Sequence, residues 1–438
     1  MLLPLLNLLQ FCTKGTAYRT FFIRPLLFKP LGVPCKMRSP IPLLALAAGV
    51  ALAAGAAAEA APYRSESLVT GLRNPRGLVI APDGRLLVSE AGSGGPASSG
   101  PCITSGAGNT LCFGATGALG SFDPSTGSYA RPLVGLPSLA SAAGEEGSGL
   151  SDLTYDGLNL LGVISFGGDP NQLSSSGSAL FGQLVAIDLA AGTITARASI
   201  SQYELDNDPD SPNGLNSNPY ALAVLGTEAW VTDAGGNTLL RVNAANQVSL
   251  GFSYPSQNVP LPPFLSSPPF PNPYPVQAVP TGLATNGDYV YSAEFSGFPF
   301  VAGSADIYRT DATGTTSLFA TGFTSISDIA FGPEGDLYIL EYATNFFDPA
   351  PSGNLLRLSA DGLSRDLLAT GLTRPTGLAV DARGRVYVAN NGDGTNGELL
   401  RLTREVPGPL PILGLAAAFR QARQLRRRIA LQAERPEA

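Results

Sequence analysis

The chain of 438 residues contains no histidine, and its only lysines are Lys14, Lys29 and Lys36. The first absence excludes Ser-His-Asp and Cys-His catalysis and every histidine-ligated zinc or haem site. The second excludes a Schiff-base lysine or a P-loop lysine beyond residue 36. An enzyme built on this chain would have to work with carboxylates, Asn, Tyr, Ser, Arg or a hard metal ion.

Positive charge is scarce between residues 61 and 403, where 14 arginines face 30 acidic residues and the net charge is −16. Both ends of the chain are basic, so the whole chain carries only −7. An acidic body without a basic and aromatic strip repels nucleic acid, and we expect no nucleic-acid partner. The 51 glycines and 37 prolines fall short of a disordered composition and favour a fold rich in turns.

The segment 37–60 has the three parts of a secretory signal. A short basic stretch at 37–39 precedes an apolar, alanine-rich run at 41–58, and cleavage is expected after Ala60. The alternative is a single membrane anchor, for which alanine is only weakly hydrophobic. Residues 1–36 suit neither a signal nor a domain, and we expect translation to start at Met37. The mature protein is then secreted, to the periplasm, the cell surface or the extracellular space.

The C-terminal segment 406–438 begins with several prolines, continues with a short apolar run to Phe419 and then carries five arginines between 420 and 428. The apolar part is too short to span a bilayer as a simple helix. The pattern resembles the PEP-CTERM sorting tails that exosortases process, which implies exosortase-type sorting machinery as a partner. The alternative is an amphipathic helix that lies on a membrane surface.

Six copies of one pattern run through residues 61–405. Each copy has a Gly-Leu-like strand, a turn at Asp-Gly or a similar pair, and an aromatic or β-branched strand, and most continue with a third and a fourth strand. The copies are 75–90, 150–164, 219–233, 280–294, 326–341 and 375–390. Four short strands per unit are typical of a propeller blade. We therefore predict an all-β fold, a six-bladed β-propeller of the NHL/SMP-30-like kind.

The N-terminal strand is predicted to close the ring. The sixth unit has no fourth strand, and residues 63–72 match the fourth-strand pattern of residues 367–372. The turns on one face are short, and the long connections belong to the other face, which we call the loop face. These connections are 91–116, 137–149, 167–182, 203–218, 255–279, 295–304, 342–353 and 391–397. Variable loops on a rigid scaffold usually carry function, so we expect a small-molecule or extracellular matrix ligand there.

Acidic or amide side chains end the second strands on the loop face. They are Glu90, Asp233, Glu294, Glu341 and Asn390, and with Asp152 and Asp328 they could surround the mouth of the central channel. Carboxylate and amide oxygens are ligands of hard cations such as Ca²⁺, and we select Glu90, Asp233, Glu294 and Asn390 as candidate metal ligands. The alternative is that these side chains only cap turns by accepting backbone N–H bonds.

A second calcium candidate is the loop that alternates Asp206, Asp208 and Asp210, followed by Asn213. It lacks the glycine at the sixth position and the distal glutamate of an EF-hand.

Cys102 and Cys112 lie in a Gly/Ser-rich stretch of a chain that is expected to be exported, which predicts a local disulfide. A catalytic or metal-binding role for the two cysteines would lack a third ligand and a histidine base.

Five stretches share a further pattern, namely 71–78, 89–92 with the paired cysteines, 218–220, 232–242 and 294–300. Together they resemble the ScyD/ScyE family, exported propeller proteins encoded near genes for the cyanobacterial sunscreen scytonemin. The resemblance implies an exported propeller and brings no catalytic residues with it. It does not imply that this chain makes scytonemin.

We therefore expect a secreted, non-catalytic binding or assisting propeller, present as a monomer. The alternative is a metal-dependent lactonase resembling SMP-30 and gluconolactonase propellers, with the four strand-end candidates as ligands. A third possibility is a structural role in an extracellular sheath.

Overall fold

The computed structural model describes residues 63–266 and 270–404, together with Arg423. The predicted extension 1–36, the signal 37–60 and the sorting tail 406–438 lie outside the described residues, apart from Arg423. In the part of the chain that is described, no helix has the length and apolar character needed to cross a membrane.

The described residues contain strands β1 to β27, numbered in chain order, and 24 of these form six four-stranded antiparallel blades. Blade 1 contains β2 (Pro75–Ile80), β3 (Leu86–Glu90), β5 (Thr110–Asp123) and β6 (Ser128–Ala140); blade 2 contains β7 (Leu150–Asp156), β8 (Asn159–Ile164), β9 (Gln183–Asp188) and β10 (Thr193–Ser199). Blade 3 contains β11 (Pro219–Leu225), β12 (Glu228–Asp233), β13 (Thr238–Val242) and β14 (Val248–Ser253); blade 4 contains β17 (Pro280–Thr285), β18 (Tyr289–Glu294), β19 (Ala305–Asp311) and β20 (Thr316–Phe323). Blade 5 contains β21 (Ile326–Phe331), β22 (Leu337–Glu341), β23 (Ser352–Leu358) and β24 (Arg365–Thr373).

The last blade is closed by the first strand, which confirms the predicted closure. Its strand order is β1 (Tyr63–Leu72), β27 (Gly397–Arg404), β26 (Val386–Asn390) and β25 (Gly377–Val380). Tyr63 lies opposite Arg404 and Leu72 opposite Gly397, so β1 is antiparallel to β27 along its whole length. Strand β1 covers the edge that β27 would otherwise leave unpaired. The predicted all-β, six-bladed propeller is confirmed.

The hydrophobic core lies between neighbouring blades. Six clusters of buried side chains each combine residues of two consecutive blades, including the pair formed by blade 6 and blade 1. A strand in the middle of a blade therefore has both faces covered, which is why β3, β22 and β26 are buried at every position. The largest wholly buried side chain is Trp230, between blades 3 and 4.

The first strands of the blades contact one another in a closed ring around the channel. A repeated glycine in the Gly-Leu pattern permits this close approach. A Cβ at Gly77 would collide with the side chain of Asp152 in blade 2, and one at Gly377 would collide with the Arg76 carbonyl in blade 1. Backbone without a side chain is thus needed where two first strands pack at the axis. Hydroxyls add bonds between blades, such as Ser151 Oγ to the Tyr220 carbonyl at 2.8 Å.

Several loop-face connections, predicted as loops, contain regular structure. A 3₁₀ helix occupies Pro170–Ser175, α1 occupies Ile200–Asn207, and β15 (Gln257–Val259) pairs with β16 (Tyr274–Val276). The short strand β4 (Cys102–Thr104) pairs with the start of β5, and it places Cys102 opposite Cys112. The two cysteines form the predicted disulfide.

Candidate functional site

The strand-end residue of blade 1, Glu90, is wholly buried and fully engaged. It accepts a hydrogen bond from the backbone N–H of Arg73 at 2.9 Å and from the Tyr129 hydroxyl at 2.6 Å. The Arg131 guanidinium donates to both of its oxygens, at 2.6 and 2.8 Å. Glu90 is therefore neutralised by an arginine of its own blade.

The equivalent residues of blades 3, 5 and 6 bond to the backbone just ahead of the first strand of their own blade, a position that we call the blade entry. Each accepts a bond from the backbone N–H of a residue one or two places ahead of the first strand in the repeat pattern. The bonds are Asn218 N–H to Asp233 at 2.6 Å, Thr324 N–H to Glu341 at 2.9 Å and Thr373 N–H to Asn390 at 2.8 Å. Asp233 also accepts from the Ser217 hydroxyl at 2.6 Å, and the Asn390 amide donates to Glu398 at 2.8 Å. These contacts have the turn-capping geometry.

Glu294 in blade 4 has a different environment. Its Oε2 accepts from Gln257 Nε2 and from the Asp306 N–H, both at 3.1 Å. Its Oε1 is buried without a hydrogen-bond partner among the described residues. Burial, and secondly the neighbouring Asp306 carboxylate, raise the pKa of Glu294 to about 8. Burial therefore favours the protonated form of Glu294.

The structure does not bring the four selected strand-end residues together. Among the described residues, the only group of three acidic side chains whose oxygens lie within 4.8 Å of one another is Glu204, Asp208 and Asp210. We call this group the acidic cluster. It includes two of the three residues selected in the second calcium candidate. Asp206 is exposed instead, and its Oδ1 accepts from Gln202 Nε2 at 2.9 Å.

The local sequence builds the acidic cluster from the end of α1. The Ser199 hydroxyl caps the start of the helix by accepting the Gln202 N–H at 3.2 Å. Glu204 lies in the last turn of the helix, and Asp208, four residues later, is the C-cap residue. Asp208 ends the helix in the left-handed conformation, at φ 41°, and its N–H bonds to the Glu204 carbonyl at 2.9 Å. This turn brings Asp210 back towards Glu204.

Glu204 and Asp210 of the acidic cluster are buried and Asp208 is half-buried, and none of the three forms an ion pair with an arginine among the described residues. Glu204 is wholly buried, and neither of its oxygens has a hydrogen-bond partner among the described residues. Burial, followed by the charges of Asp233, Asp210 and Asp208, raises the pKa of Glu204 to about 8. Burial also raises the pKa of Asp210, although its Oδ2 accepts from Asn237 Nδ2 at 2.7 Å. Buried charges are costly unless they are paired or bind a metal, so this cluster could hold a metal ion.

Glu204 is not among the residues predicted from the sequence, where Asp206 stands in its place. The alternating aspartates at 206, 208 and 210 predicted a calcium-binding loop without a helical turn in it. The signal that identifies Glu204 is the helical spacing to Asp208 after a serine cap. The Glu204 carboxylate packs directly against the backbone of blade 3 at Gly236. A Cβ at Gly236 would lie 2.5 Å from Glu204 Oε2.

A second feature of the loop face is a connected group of aromatic rings, which we call the aromatic surface. It consists of Phe270, Tyr274, Phe295, Phe298, Phe300, Tyr342 and Phe346. The rings of Phe300 and Phe346 are stacked with centroids 4.0 Å apart, and Phe295 meets Tyr342 at 5.5 Å. All seven side chains are half-buried. They come from three connections, 255–279, 295–304 and 342–353, which the sequence analysis did not combine into one site.

The aromatic surface borders the charged mouth of the channel. Burial, then the nearby Asp393 carboxylate, raises the pKa of Tyr342 to about 12, and the neighbouring Arg374 and Arg76 oppose this shift. Arg374 pairs with Asp393 at 3.2 Å. Arg76 donates to the carbonyls of Gly392 and Gly147. Aromatic rings and hydrogen-bonding groups thus meet at one place on the loop face.

Two aspartates lie deeper in the channel, on blades 2 and 5. Asp152 Oδ2 accepts from the Leu222 N–H at 2.7 Å, and Asp328 Oδ2 accepts from the Leu378 N–H at 2.7 Å. Each therefore bonds its blade to the next one. Burial raises the pKa of Asp152 to about 7; burial, and then the Asp152 charge, raise the pKa of Asp328 as well.

The strand order of this chain defines its class, a six-bladed β-propeller. No protein-family model matches the chain, and no curated protein matches it in sequence. It is similar in fold to a gluconolactonase from Xanthomonas campestris, at 12% identity and TM-score 0.44, over 80% of this chain and 93% of that one. It is also similar to virginiamycin B lyase from Staphylococcus aureus (13% identity, TM-score 0.40, 78% of this chain and 99% of that one). A glucose dehydrogenase gives 14% identity and TM-score 0.44, over 78% and 100%. At these identities the likeness concerns the fold alone.

Proposed function

We propose that the protein is an exported, non-catalytic binding propeller that takes a small molecule or a matrix component on its loop face. The aromatic surface is the observation that carries this proposal. Half-buried rings offer a large apolar contact area at little cost in conformational freedom, which is why aromatic side chains are enriched in binding sites. The adjoining channel mouth supplies charged and hydroxyl groups that could orient a ligand. The ligand that fits best presents a planar or apolar face with a polar edge.

The contacts of the strand-end residues favour binding over hydrolysis. A lactonase of the kind considered above would need Glu90, Asp233, Glu294 and Asn390 to turn their oxygens towards one cation. Glu90 instead pairs with Arg131, and Asp233 and Asn390 accept backbone N–H groups of their own blades. These side chains are used to fix the blade entries.

We further propose Ca²⁺ as the ion of the acidic cluster. Hard carboxylate oxygens without nitrogen or sulfur donors are the ligands that Ca²⁺ prefers. Glu204, Asp208 and Asp210 would hold the ion, which would supply the positive charge that the buried carboxylates lack. The signal at 37–60 and the tail at 406–438 support export and contact with exosortase-type sorting machinery, and the protein would act there as a monomer.

The binding proposal is tested with 8-anilinonaphthalene-1-sulfonate, a dye with planar aromatic rings and one anionic group. We expect the native protein to bind the dye, and the Phe300→Ala/Phe346→Ala variant to bind about thirtyfold more weakly, because it loses two ring contacts of about 1 kcal/mol each. Leu158→Ala is the control, since Leu158 is an exposed apolar residue in the turn between β7 and β8, outside the aromatic surface. Equal binding by the double variant would contradict the proposal.

The non-catalytic part is tested separately with glucono-1,5-lactone in the presence of Ca²⁺, Mn²⁺ or Zn²⁺. We expect no hydrolysis above the uncatalysed rate. Hydrolysis that EDTA abolishes and that Asn390→Ala reduces would establish the lactonase alternative instead.

A further inference from the structure

The acidic cluster and the aromatic surface are joined by a short series of hydrogen bonds, at whose centre lies Asn237. This residue is in the turn between β12 and β13, is 1% exposed and adopts a left-handed backbone conformation at φ 48°. Its Nδ2 donates to Asp210 Oδ2 at 2.7 Å. Its Oδ1 accepts the backbone N–H of Val279 at 2.9 Å. The amide orientation is fixed by chemistry, because a carboxylate only accepts and a backbone N–H only donates.

The backbone of Val279 is in the left-handed conformation, which is unfavourable for a β-branched residue. Its φ is 52°, and a β-branched residue in the left-handed region is strained because its Cβ lies too close to the backbone. The bond from its N–H to Asn237 helps to hold it there. Ser296 and Phe300 in the facing loop also have positive φ values, of 68° and 55°. This part of the loop face therefore depends on contacts from outside to keep its shape.

The strained segment is paired directly with the loop that carries the aromatic rings. The N–H of Phe295 donates to the Val279 carbonyl at 2.9 Å, the N–H of Ser296 to the Ala278 carbonyl at 2.9 Å, and the N–H of Gly297 to the Gln277 carbonyl at 2.7 Å. Phe295 contacts Phe300, Tyr342 and Phe346. A change at Asp210 thus reaches the aromatic surface through Asn237, Val279 and Phe295.

We infer that Asn237 is a positioning residue that couples the two sites, so that a divalent cation at the acidic cluster orders the loop presenting the aromatic surface. The inference rests on the proposed Ca²⁺ site. A cation that fixes Asp210 fixes the acceptor of the Asn237 amide, and so favours the one arrangement in which Val279 and Phe295 are both bonded. Ligand binding at the aromatic surface would in turn strengthen cation binding, since coupling between two sites is reciprocal.

Hydrogen exchange measured by mass spectrometry on the exported chain tests the coupling, with saturating Ca²⁺ compared with EDTA. In the wild type we expect Ca²⁺ to slow exchange about tenfold in peptides covering 203–217 and in peptides covering 293–300. In Asn237→Gly, which keeps the left-handed backbone and removes both side-chain bonds, only the first segment should respond. Asn246→Gly, a left-handed asparagine of another blade 3 turn, is the matched control and should behave as the wild type.

The outcomes separate the inference from the proposal beneath it. If 203–217 responds to Ca²⁺ and 293–300 does not, the metal site stands and the coupling is overturned. A response of 293–300 that survives in Asn237→Gly overturns the role of Asn237. If neither segment responds and calorimetry detects no Ca²⁺ binding, the metal proposal fails and the coupling fails with it. Should Asn237→Gly not fold, Asn237→Ala serves instead, because alanine also removes both side-chain bonds and adds no charge to the acidic cluster.

Discussion

Replacing Glu204 with glutamine gives the sharpest test of the acidic cluster. The pKa of Glu204 is raised from 4.5 to about 8 in the folded protein, while in the unfolded chain it returns to its ordinary value. Between these two values the folded state keeps a proton that the unfolded state releases, so the stability of the metal-free protein falls as pH rises. A tenfold change in proton affinity corresponds to about 1.4 kcal/mol, and the penalty at pH 7 is therefore roughly 3 kcal/mol.

Glutamine has the shape of glutamate without its charge. In EDTA at pH 7 we expect Glu204→Gln to be more stable than the wild type by up to about 3 kcal/mol, or roughly 4 °C in melting temperature for a domain of this size. Stability should also depend less on pH between 5 and 8. Calcium should stabilise the wild type, and increasingly so at higher pH, because the ion competes with protons for the carboxylates. In the variant this stabilisation should largely disappear.

The assay is thermal unfolding followed by circular dichroism, with Ca²⁺ or EDTA, at pH 5, 6, 7 and 8. Asp206→Asn is the matched control. Asp206 is two residues from Glu204, but its side chain is exposed and lies outside the acidic cluster, so the substitution removes one negative charge without changing the cluster. It should change neither the calcium effect nor the pH dependence. The reasoning would be refuted if Glu204→Gln were less stable than the wild type in EDTA, or if calcium stabilised both proteins equally.

Two further predictions concern the ring itself. Gly77→Ala places a Cβ against the Asp152 side chain and should lower the free energy of unfolding by about 1–3 kcal/mol. Ala221→Gly, at the same repeat position, is the control and should lower it by less than about 1 kcal/mol. Equal melting temperatures for the two variants would contradict the packing argument. Deletion of 63–72 removes the strand that completes the last blade, and the melting temperature should collapse; an unchanged value would show that the closure is dispensable.

The fold could be predicted almost completely from the sequence, because the repeat is local. In the sequence, each blade begins with a strand, a tight turn and a second strand. The number of blades therefore follows from the number of repeats, without knowing which strands pair. The missing fourth strand of the sixth unit and the unmatched strand at 63–72 have only each other as partners in such a ring. The disulfide was predicted on the same local basis, since Cys102 and Cys112 are only ten residues apart.

The candidate site could be predicted only in part. Periodicity identified the ends of the second strands, but it could not show that Arg131 would neutralise Glu90 or that blade entries would occupy Asp233 and Asn390. These partners are distant in sequence or belong to the backbone, and their positions depend on how each blade packs. For the acidic cluster, the acidic composition of the loop predicted a cation site, but the sequence did not show the conformation of the loop. Because the segment ends a helix, Glu204 rather than Asp206 faces Asp208 and Asp210.

The lack of histidine, the absence of lysine beyond residue 36, the acidic body and the six repeats determined by themselves that this is a propeller whose polar chemistry relies on carboxylates, amides, hydroxyls and arginines. Only the tertiary structure decided which of its many carboxylates remain without a partner. The reason is physical: a carboxylate becomes a candidate ligand when packing removes water and supplies no donor, and both conditions are set by neighbours that the chain brings together only on folding. The same holds for the aromatic surface, whose seven rings come from three separate connections and meet only because adjacent blades place their loops side by side.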